Sequence, residues 1–532
     1  MLNKGQWILA GSFFAVIFGG SLAFWLVEDG WTWLDAFYMT IISVTTVGYG
    51  EVQTLSSAGR VVAMAVLFSG LGIFGFVISQ ITSFAVGGAL EGVVQRRRTA
   101  KLANKLSRHS VYYGFGDRGY ALAAGNLNSV VVEPNAHNTS AIAAKQNKHL
   151  VLHADAHDAE FLKMVGASRA REIIVVVGSD SQNLAVARAI RERLGYKAQP
   201  RVIAAVEDYV TRDCFADALH QEGIELFGFG EQSLLDLAQT MALNWVDRWR
   251  DLPGAPIKIL LQVEGALLQE VIRVFAMVLQ FGGLQKLHID VYGVTVAFCK
   301  GFEARFPEYQ RCAEINWYAE EFIGFGESDS APDLAFFAAP SVTRTSELAL
   351  RCLRGASAME SGQVYGCYWQ KEESDNIIRN LPTINQLFKL FSLYDLLAQK
   401  DGLVSHSMDD PGRSLHEAYR SNAEHTIVTW RDLSEFHRNS NRLAALQQVI
   451  YRSAWQKCND ETKKIEWLEY LAQCEHLRWM SFHLLCGYRL DRQGLPRDQW
   501  QRLKVHPDLV PFVELSEKER EKDRVNIRNA IK

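Results

Sequence analysis

Two stretches without a single charged side chain lie close together near the start of the chain, residues 7–27 (WILAGSFFAVIFGGSLAFWLV) and residues 61–90 (VVAMAVLF through FAVGGAL). A helix needs about 20 apolar residues to cross the hydrocarbon layer of a bilayer, so both qualify as spans. A cleaved leader is the alternative for the first. Against it, the run is long, ends in aromatic and acidic residues, and is soon followed by a second apolar run. Arg96, Arg97, Arg98, Lys101 and Lys105 crowd the exit of the second run, whereas Glu28, Asp29, Asp35 and Glu51 occupy the connection. Basic flanks stay in the cytoplasm. This predicts a multi-pass protein of the cell (inner) membrane with both termini cytoplasmic, which suits Lys4.

Between the runs, Trp31 to Val44 reads as a helix too short to cross, followed by Thr46-Val47-Gly48-Tyr49-Gly50. Irregular backbone at membrane depth is tolerated only where protein buries it or water lines it. Gly48 and Gly50 can take positive φ without a Cβ clash, so successive residues can alternate in handedness and turn their carbonyls the same way. A ring of carbonyls replaces the water shell of a bare cation, and the C-terminal end of the short helix adds a negative dipole. Residues 1–95 therefore resemble a two-span potassium channel subunit, with outer helix, pore helix, TVGYG filter and inner helix in order. The resemblance implies a permeant potassium ion held at Thr46, Val47, Gly48 and Tyr49. It also implies contact with membrane lipid and a homotetramer, since one loop cannot encircle an ion. Glu51 stands where aspartate is more usual, which bears on the outer mouth. No span studded with Arg or Lys precedes the pore, so a voltage sensor is not expected. Gly70, Gly72 and Gly75 interrupt the second run. Gly70 is the hinge candidate by resemblance to ligand-opened relatives, with close helix packing as the alternative.

At 532 residues and a net charge of −4, the chain is too long for one core and has no global field that favours nucleic acid. After a linker at 96–108, residues 109–245 alternate β-rich runs (SVYYGF, SVVVE, HLVLH, EIIVVV, RVIAAV) with helical stretches. That rhythm predicts parallel βαβ units. The first turn reads Gly114-Phe115-Gly116-Asp117-Arg118-Gly119, and Glu133 ends the next strand about 20 residues on, the position of an acid that holds ribose hydroxyls. Asp155 follows the third strand at the same sheet edge. The stretch resembles the regulator-of-potassium-conductance family. The resemblance implies NAD(H) or another adenine nucleotide as regulatory ligand at Gly114, Gly116, Gly119, Glu133 and Asp155. Ala154 replaces the family's glycine before the aspartate. Ala205 stands at the first of two acids that calcium-opened members carry, leaving Glu207.

Residues 246–375 repeat the pattern (IKILLQV, LHIDVYG, DLAFFAAPS, QVYGCYWQ) as a degenerate second copy, whose first turn, Val263-Glu264-Gly265-Ala266, lacks the glycine spacing. No catalytic constellation is expected, and the chain reads as a non-enzyme. An NAD-dependent oxidoreductase tethered to a membrane hairpin is the rival, but its cleft would offer Asp155 and little else as proton donor. The eight cysteines form no CxxC pair, so no zinc site or disulfide is expected.

Residues 376–532 read as helical, beginning with LPTINQLFKLFSLYDLLAQK. Two segments, Leu471 to Trp479 with Cys486-Gly487-Tyr488, and Lys504 to Phe512, resemble the RyR repeat, the small helical module of ryanodine receptors. Tyr488 stands where that family commonly has tryptophan. His476, Arg478, Lys504 and His506, with Trp479 to stack on a base, are candidate ligands for a small phosphorylated molecule. Structural packing, or a docking role without a ligand, is the alternative. The fold expected is thus multidomain: an α-helical two-span pore, α/β Rossmann-like cytoplasmic domains, and a small all-α domain. The function expected is a ligand-gated, potassium-selective channel, with a non-selective cation channel as a second rival.

Overall fold

The computed structural model describes residues 4–86, 89–158, 160–195, 200–247, 256–282, 284–325, 331–355, 363–370, 388–398, 404–421 and 428–532. They form two compact units, Met1–Thr99 and Ala100–Lys532.

In the first unit, α1 (Lys4–Val27) and α3 (Ser57–Val86) flank the short α2 (Trp33–Val44). Thr32 starts α2 with a capping box: its hydroxyl accepts from the Asp35 N–H, and the Asp35 carboxylate accepts from the Thr32 N–H. Phe24, Trp31, Met39, Ile42, Val44 and Val66 form the small core, with Phe24 stacked on Trp31 at 5.8 Å. The connection is latched to the start of α3, because the Glu28 carboxylate accepts from both the Ser56 N–H and its hydroxyl at 3.0 Å. Large apolar side chains stay outside this core, among them Phe14, Phe18, Trp25, Leu26, Phe68 and Leu71. Among the described residues no helix is long and apolar enough to cross a membrane, so the two expected spans rest on the sequence of residues 7–27 and 61–90.

Beyond α4 (Ala89–Ala103), the second unit opens with β1 (Ser110–Tyr113), α5 (Asp117–Ala123), β2 (Ser129–Val132), α6 (Thr139–Gln146), β3 (Leu150–Leu152) and α7 (Phe161–Met164). It continues with β4 (Glu172–Val175), α8 (Asp180–Leu194), β5 (Arg201–Ala205), α9 (Tyr209–Gln221), β6 (Ile224–Phe227) and α10 (Phe229–Val246). The strands are all parallel, in the order β3-β2-β1-β4-β5-β6, and the central β2, β1 and β4 are buried on both faces. That order reverses direction between β1 and β4, the point where open α/β sheets hold ligands.

The second sheet contains β7 (Lys258–Val263), α11 (Leu267–Val278), β8 (Leu287–Tyr292), α12 (Val296–Arg305) and β9 (Ala313–Tyr318). β10 (Leu334–Ala339), α13 (Val342–Gly355), β11 (Val364–Tyr368) and β12 (Lys389–Ser392) complete it. Its parallel order, β12-β11-β10-β7-β8-β9, is that of the first sheet read from the other edge. The second copy therefore keeps the strand order, while its first turn lacks the glycine spacing. β12 corrects the helical reading of residues 381–400. Lys389–Ser392 pairs with β11, and helix resumes only at Leu393–Ala398; residues 381–387 lie outside the described residues. A short apolar run does not declare its period, and the open edge of β11 decides it.

The C-terminal part is helical, dominated by Glu435–Trp455, Lys464–Leu484 and Glu517–Ile531, with a two-strand pairing of Arg489–Leu490 and Val505–His506. Its apolar faces share one cluster with α10, α11 and the second sheet, running from Leu234 through Phe275 and Ile450 to Ile527. These helices close the core of the second sheet.

Candidate functional site

The segment after α2 alternates in hand. Thr46, Gly48 and Gly50 have φ of +60°, +61° and +116°, and neither Val47 nor Tyr49 has positive φ. Its start is held to the helix end, where Val47 and Gly48 donate to the Ile42 carbonyl at 3.1 and 3.2 Å. A threonine in the left-handed region costs energy that only a surrounding constraint repays. The chain itself does not cover the segment: Val47 is 52% and Tyr49 82% exposed. At Gly70 the structure shows contact. An added Cβ would lie 2.8 Å from Val44 Cγ2 and 3.0 Å from Val44 Cα, whereas Gly72 and Gly75 face open space. Gly70 lets α3 approach the end of α2.

At the first sheet the three glycines do three different things. Gly114 has φ +86°, and a Cβ there would sit 2.4 Å from the Val176 carbonyl oxygen at the end of β4. Gly119 brings α5 onto the strand, where a Cβ would lie 2.4 Å from the Gly114 oxygen. Gly116 has nothing within 4 Å of its Cβ position, so the space beside its backbone is open to a ligand. The Glu133 carboxylate accepts from the Phe115 and Asn135 N–H groups, each at 2.9 Å, which ties the end of β2 to the turn. Asp155 accepts from the His157 N–H at 2.9 Å, and this bond holds its carboxyl below the ordinary range. The Tyr113 hydroxyl donates to Asp155 at 3.4 Å and accepts from the Ala156 N–H. Glycine turn, Glu133 and Asp155 thus share one sheet edge.

The comparisons with known proteins bear on both units. Residues 11–86 match the ion channel family, and residues 113–225 match the TrkA-N domain family. Potassium channel protein 1 of Methanocaldococcus jannaschii is 24% identical over 163 residues, 30% of this chain and 49% of that protein. The calcium-gated potassium channel TvoK of Thermoplasma volcanium is 25% identical over 184 residues, 34% of this chain and 49% of TvoK. The chain spans about half the length of the curated relatives it matches. A crystal structure of GsuK bound to ADP is 15% identical and covers 74% of this chain and 96% of that chain, at a TM-score of 0.37, too shallow to weigh further. Neither family match reaches the C-terminal helices, and the likeness there to the RyR repeat stands on sequence alone.

Of the C-terminal candidates, His476, Trp479 and His506 are packed together, whereas Arg478 and Lys504 are held by other partners. Arg478 is 1% exposed, and its guanidinium donates to both oxygens of Glu475 at 2.8 Å. The Tyr451 hydroxyl donates to the same carboxylate. His476 is engaged at both nitrogens, by the Val510 carbonyl at 2.8 Å and Asp523 at 3.4 Å. Lys504 reaches Asp213 and the Cys486 carbonyl. Trp479 packs against His476, His483 and His506. Most of these groups make internal bonds.

Two further contacts surround the first site. Arg118, on α5, pairs with Glu207 at 3.5 Å, and Glu207 accepts from the Phe229 and Gly230 N–H groups that start α10. Glu207 is thereby committed to α10. Among the described residues no three His, Cys, Asp or Glu side chains are grouped to hold a metal. Beneath lies a buried lattice: Arg212 donates to Glu231 at 2.9 Å and to Glu270 at 3.3 Å, and Arg273 donates to Glu270 at 2.7 Å. The signal for it in the sequence is Glu270 and Arg273 inside LLQEVIRVFAMV, which is apolar but for these two and Gln269.

Proposed function

We propose that the chain is one subunit of a four-copy, potassium-selective membrane channel, regulated by an adenine nucleotide or dinucleotide at the first sheet. The observation that carries the reading is the alternation of positive φ at Thr46, Gly48 and Gly50, at the end of a capped short helix between two apolar helices. Alternating handedness turns successive carbonyls toward one side, and four such segments around an axis form stacked oxygen rings that replace the hydration of potassium. Assembly also accounts for the exposed Val47 and Tyr49. Phe14, Phe18, Trp25, Leu26 and Phe68 would meet lipid or neighbouring copies.

For the nucleotide, the open backbone at Gly116 would receive a pyrophosphate, and Glu133, at the end of β2 beside that turn, would accept from ribose hydroxyls. Binding there would bear on Arg118, and Arg118 on Glu207 and the start of α10. The energy required is modest, since coupling of about 1–3 kcal/mol changes an equilibrium severalfold to a hundredfold.

The test is the reversal potential of the purified full chain in planar bilayers under a potassium–sodium gradient, with and without NAD(H) and ADP. A potential that follows the potassium gradient, with conductance altered by nucleotide, is expected. A potential indifferent to the gradient would leave a non-selective pore, and no nucleotide effect would reduce the first sheet to a scaffold.

A further inference from the structure

Where α9 and α10, the second sheet's α11 and the C-terminal helices meet, they leave a cavity of about 210 Å³. Its inner wall is Tyr209, Arg273, Met277 and Phe482, and its rim is Asp217, Asn439 and Gln501, which are exposed. A junction built only for cohesion would be filled with apolar side chains, because buried ion pairs contribute little net stability. This one keeps an open volume instead.

The lining restricts what fits. It carries four cations (Arg212, Arg273, Arg442, Lys504) and four carboxylates (Asp213, Asp217, Glu231, Glu435). Most of them are already matched. Arg212 pairs with Glu231, Arg273 with Glu231 at 3.6 Å, Arg442 with Glu435, and Lys504 with Asp213. A strongly charged ligand would have to break such pairs. The rest of the wall is apolar, aliphatic at Leu226, Leu235, Met277, Leu443 and Leu446 and aromatic on one side, where Phe436 stacks on Tyr488 at 4.8 Å and 18° and the Arg273 guanidinium lies 3.4 Å over the Tyr209 ring. The volume lies below the ~300–1,000 Å³ that drug-sized ligands occupy, so a dinucleotide is excluded and a single ring system is admitted.

The geometry points to a second ligand site in this cavity, for a small, planar, uncharged heterocycle with hydrogen-bonding edges, of the size and chemistry of a purine base. Its faces would lie against Phe436, Tyr488 and Phe482, and its edges would meet the Asn439 amide nitrogen, whose oxygen accepts from Arg442, and the lone pairs of Asp217 left beside its bonds from the Glu435 N–H and Gln501. This site does not depend on the nucleotide reading of the glycine turn.

Calorimetry on the purified full chain tests it, with adenine and hypoxanthine as neutral probes and AMP as the charged comparator. Neutral bases are expected to bind one per chain, and AMP at least tenfold more weakly at this site. Ala216→Trp fills the cavity from α9, and Gln501→Trp blocks the rim from an exposed position. Each is expected to weaken the base at least tenfold, with a melting temperature near that of the parent for at least Gln501→Trp. No binding of either base at millimolar concentration overturns the proposal. So does binding that both tryptophan variants leave intact, and so does binding abolished by Gly116→Asp but kept by Ala216→Trp, which would move the base to the glycine turn.

Discussion

The Glu133 carboxylate accepts a hydrogen bond from the Phe115 N–H at 2.9 Å, across 18 residues of chain. One oxygen of the acid proposed to hold ribose is therefore spent on the shape of the turn, and the other caps Asn135. Glu133→Gln keeps one acceptor but removes the charge, and an amide nitrogen cannot accept the second bond. Hydrogen bonds to charged groups contribute about 1.5–3 kcal/mol. NAD(H) binding to the full chain is expected to weaken by roughly tenfold to a hundredfold. Calorimetry that finds equal affinity in parent and variant would remove Glu133 from the site.

The three glycines separate folding from binding. Gly119→Ala forces a Cβ against the Gly114 oxygen and is expected to destabilise by ~1–3 kcal/mol. Gly116→Asp meets no protein atom within 4 Å of its Cβ, so the fold should survive while a carboxylate occupies the pyrophosphate position. Melting curves and nucleotide titrations on both variants check this. A Gly116→Asp variant that still binds NAD(H) contradicts the assignment.

Much of the first sheet is legible in the sequence, because its strands are short, β-branched runs punctuated by turns, and the glycine motif marks where β1 ends. The sixth strand, β12, is not. FKLF carries neither clear period, and its pairing is fixed by the exposed edge of β11, a non-local partner. The C-terminal side chains show the same limit. Arg478, His476 and Lys504 look available as residue types, but their partners Glu475, Asp523 and Asp213 are chosen by tertiary packing. The segment 46–50 is legible for the opposite reason: positive φ at 48 and 50 is written into the choice of glycine, while Thr46 had to be seen.

Gly48→Ala places a Cβ at φ +61°, where an L-residue is disfavoured by about 1–2 kcal/mol. Relaxing that residue to negative φ would turn its carbonyl out of line. Loss of potassium conduction or of discrimination against sodium is expected in bilayer recordings. Gly72→Ala, which meets open space within an α-helix, is expected to conduct as the parent does, whereas Gly70→Leu would press on Val44 and impair assembly or opening. Retained selectivity in Gly48→Ala would place the pore elsewhere.

The histidines around Trp479 predict an acid-sensitive C-terminal region. Burial pushes His506 down to about 4, with Lys522, Arg497 and His476 acting in the same direction and Glu519 against it. His483 lies well below its ordinary value, chiefly because it is buried. A neutral, depressed histidine stabilises above its unfolded value of 6.5, and that contribution is lost as pH falls toward 4. For His506 alone it is roughly 3 kcal/mol. His476 has the opposite sign: burial lowers it, but Asp523 more than offsets this and raises it, so its contribution fades as pH rises. The melting temperature of the full chain is expected to fall between pH 6.5 and 4, with a shallower slope in His506→Phe. Parallel slopes in parent and variant would exclude His506 as the source.

Arg478 and Glu475 supply the last prediction, which separates a structural role from a sensing one. Both lie within the shared core, i and i+3 on one helix, with the Tyr451 hydroxyl on the same carboxylate. Removing one partner of such a pair leaves a charge buried alone, at a cost of about 3–5 kcal/mol. Arg478→Ala is therefore expected to lower the stability of the second unit by that order. Arg478→Met paired with Glu475→Leu removes both charges and fills the space, and should recover most of the loss. If Arg478 instead recognises a phosphorylated ligand, the double variant would be stable but would lose a nucleotide response that Gly116→Asp does not remove. Denaturant melts together with bilayer recordings on the three variants distinguish the two. Full stability in Arg478→Ala would show that the Glu475 pairing carries no weight in the fold.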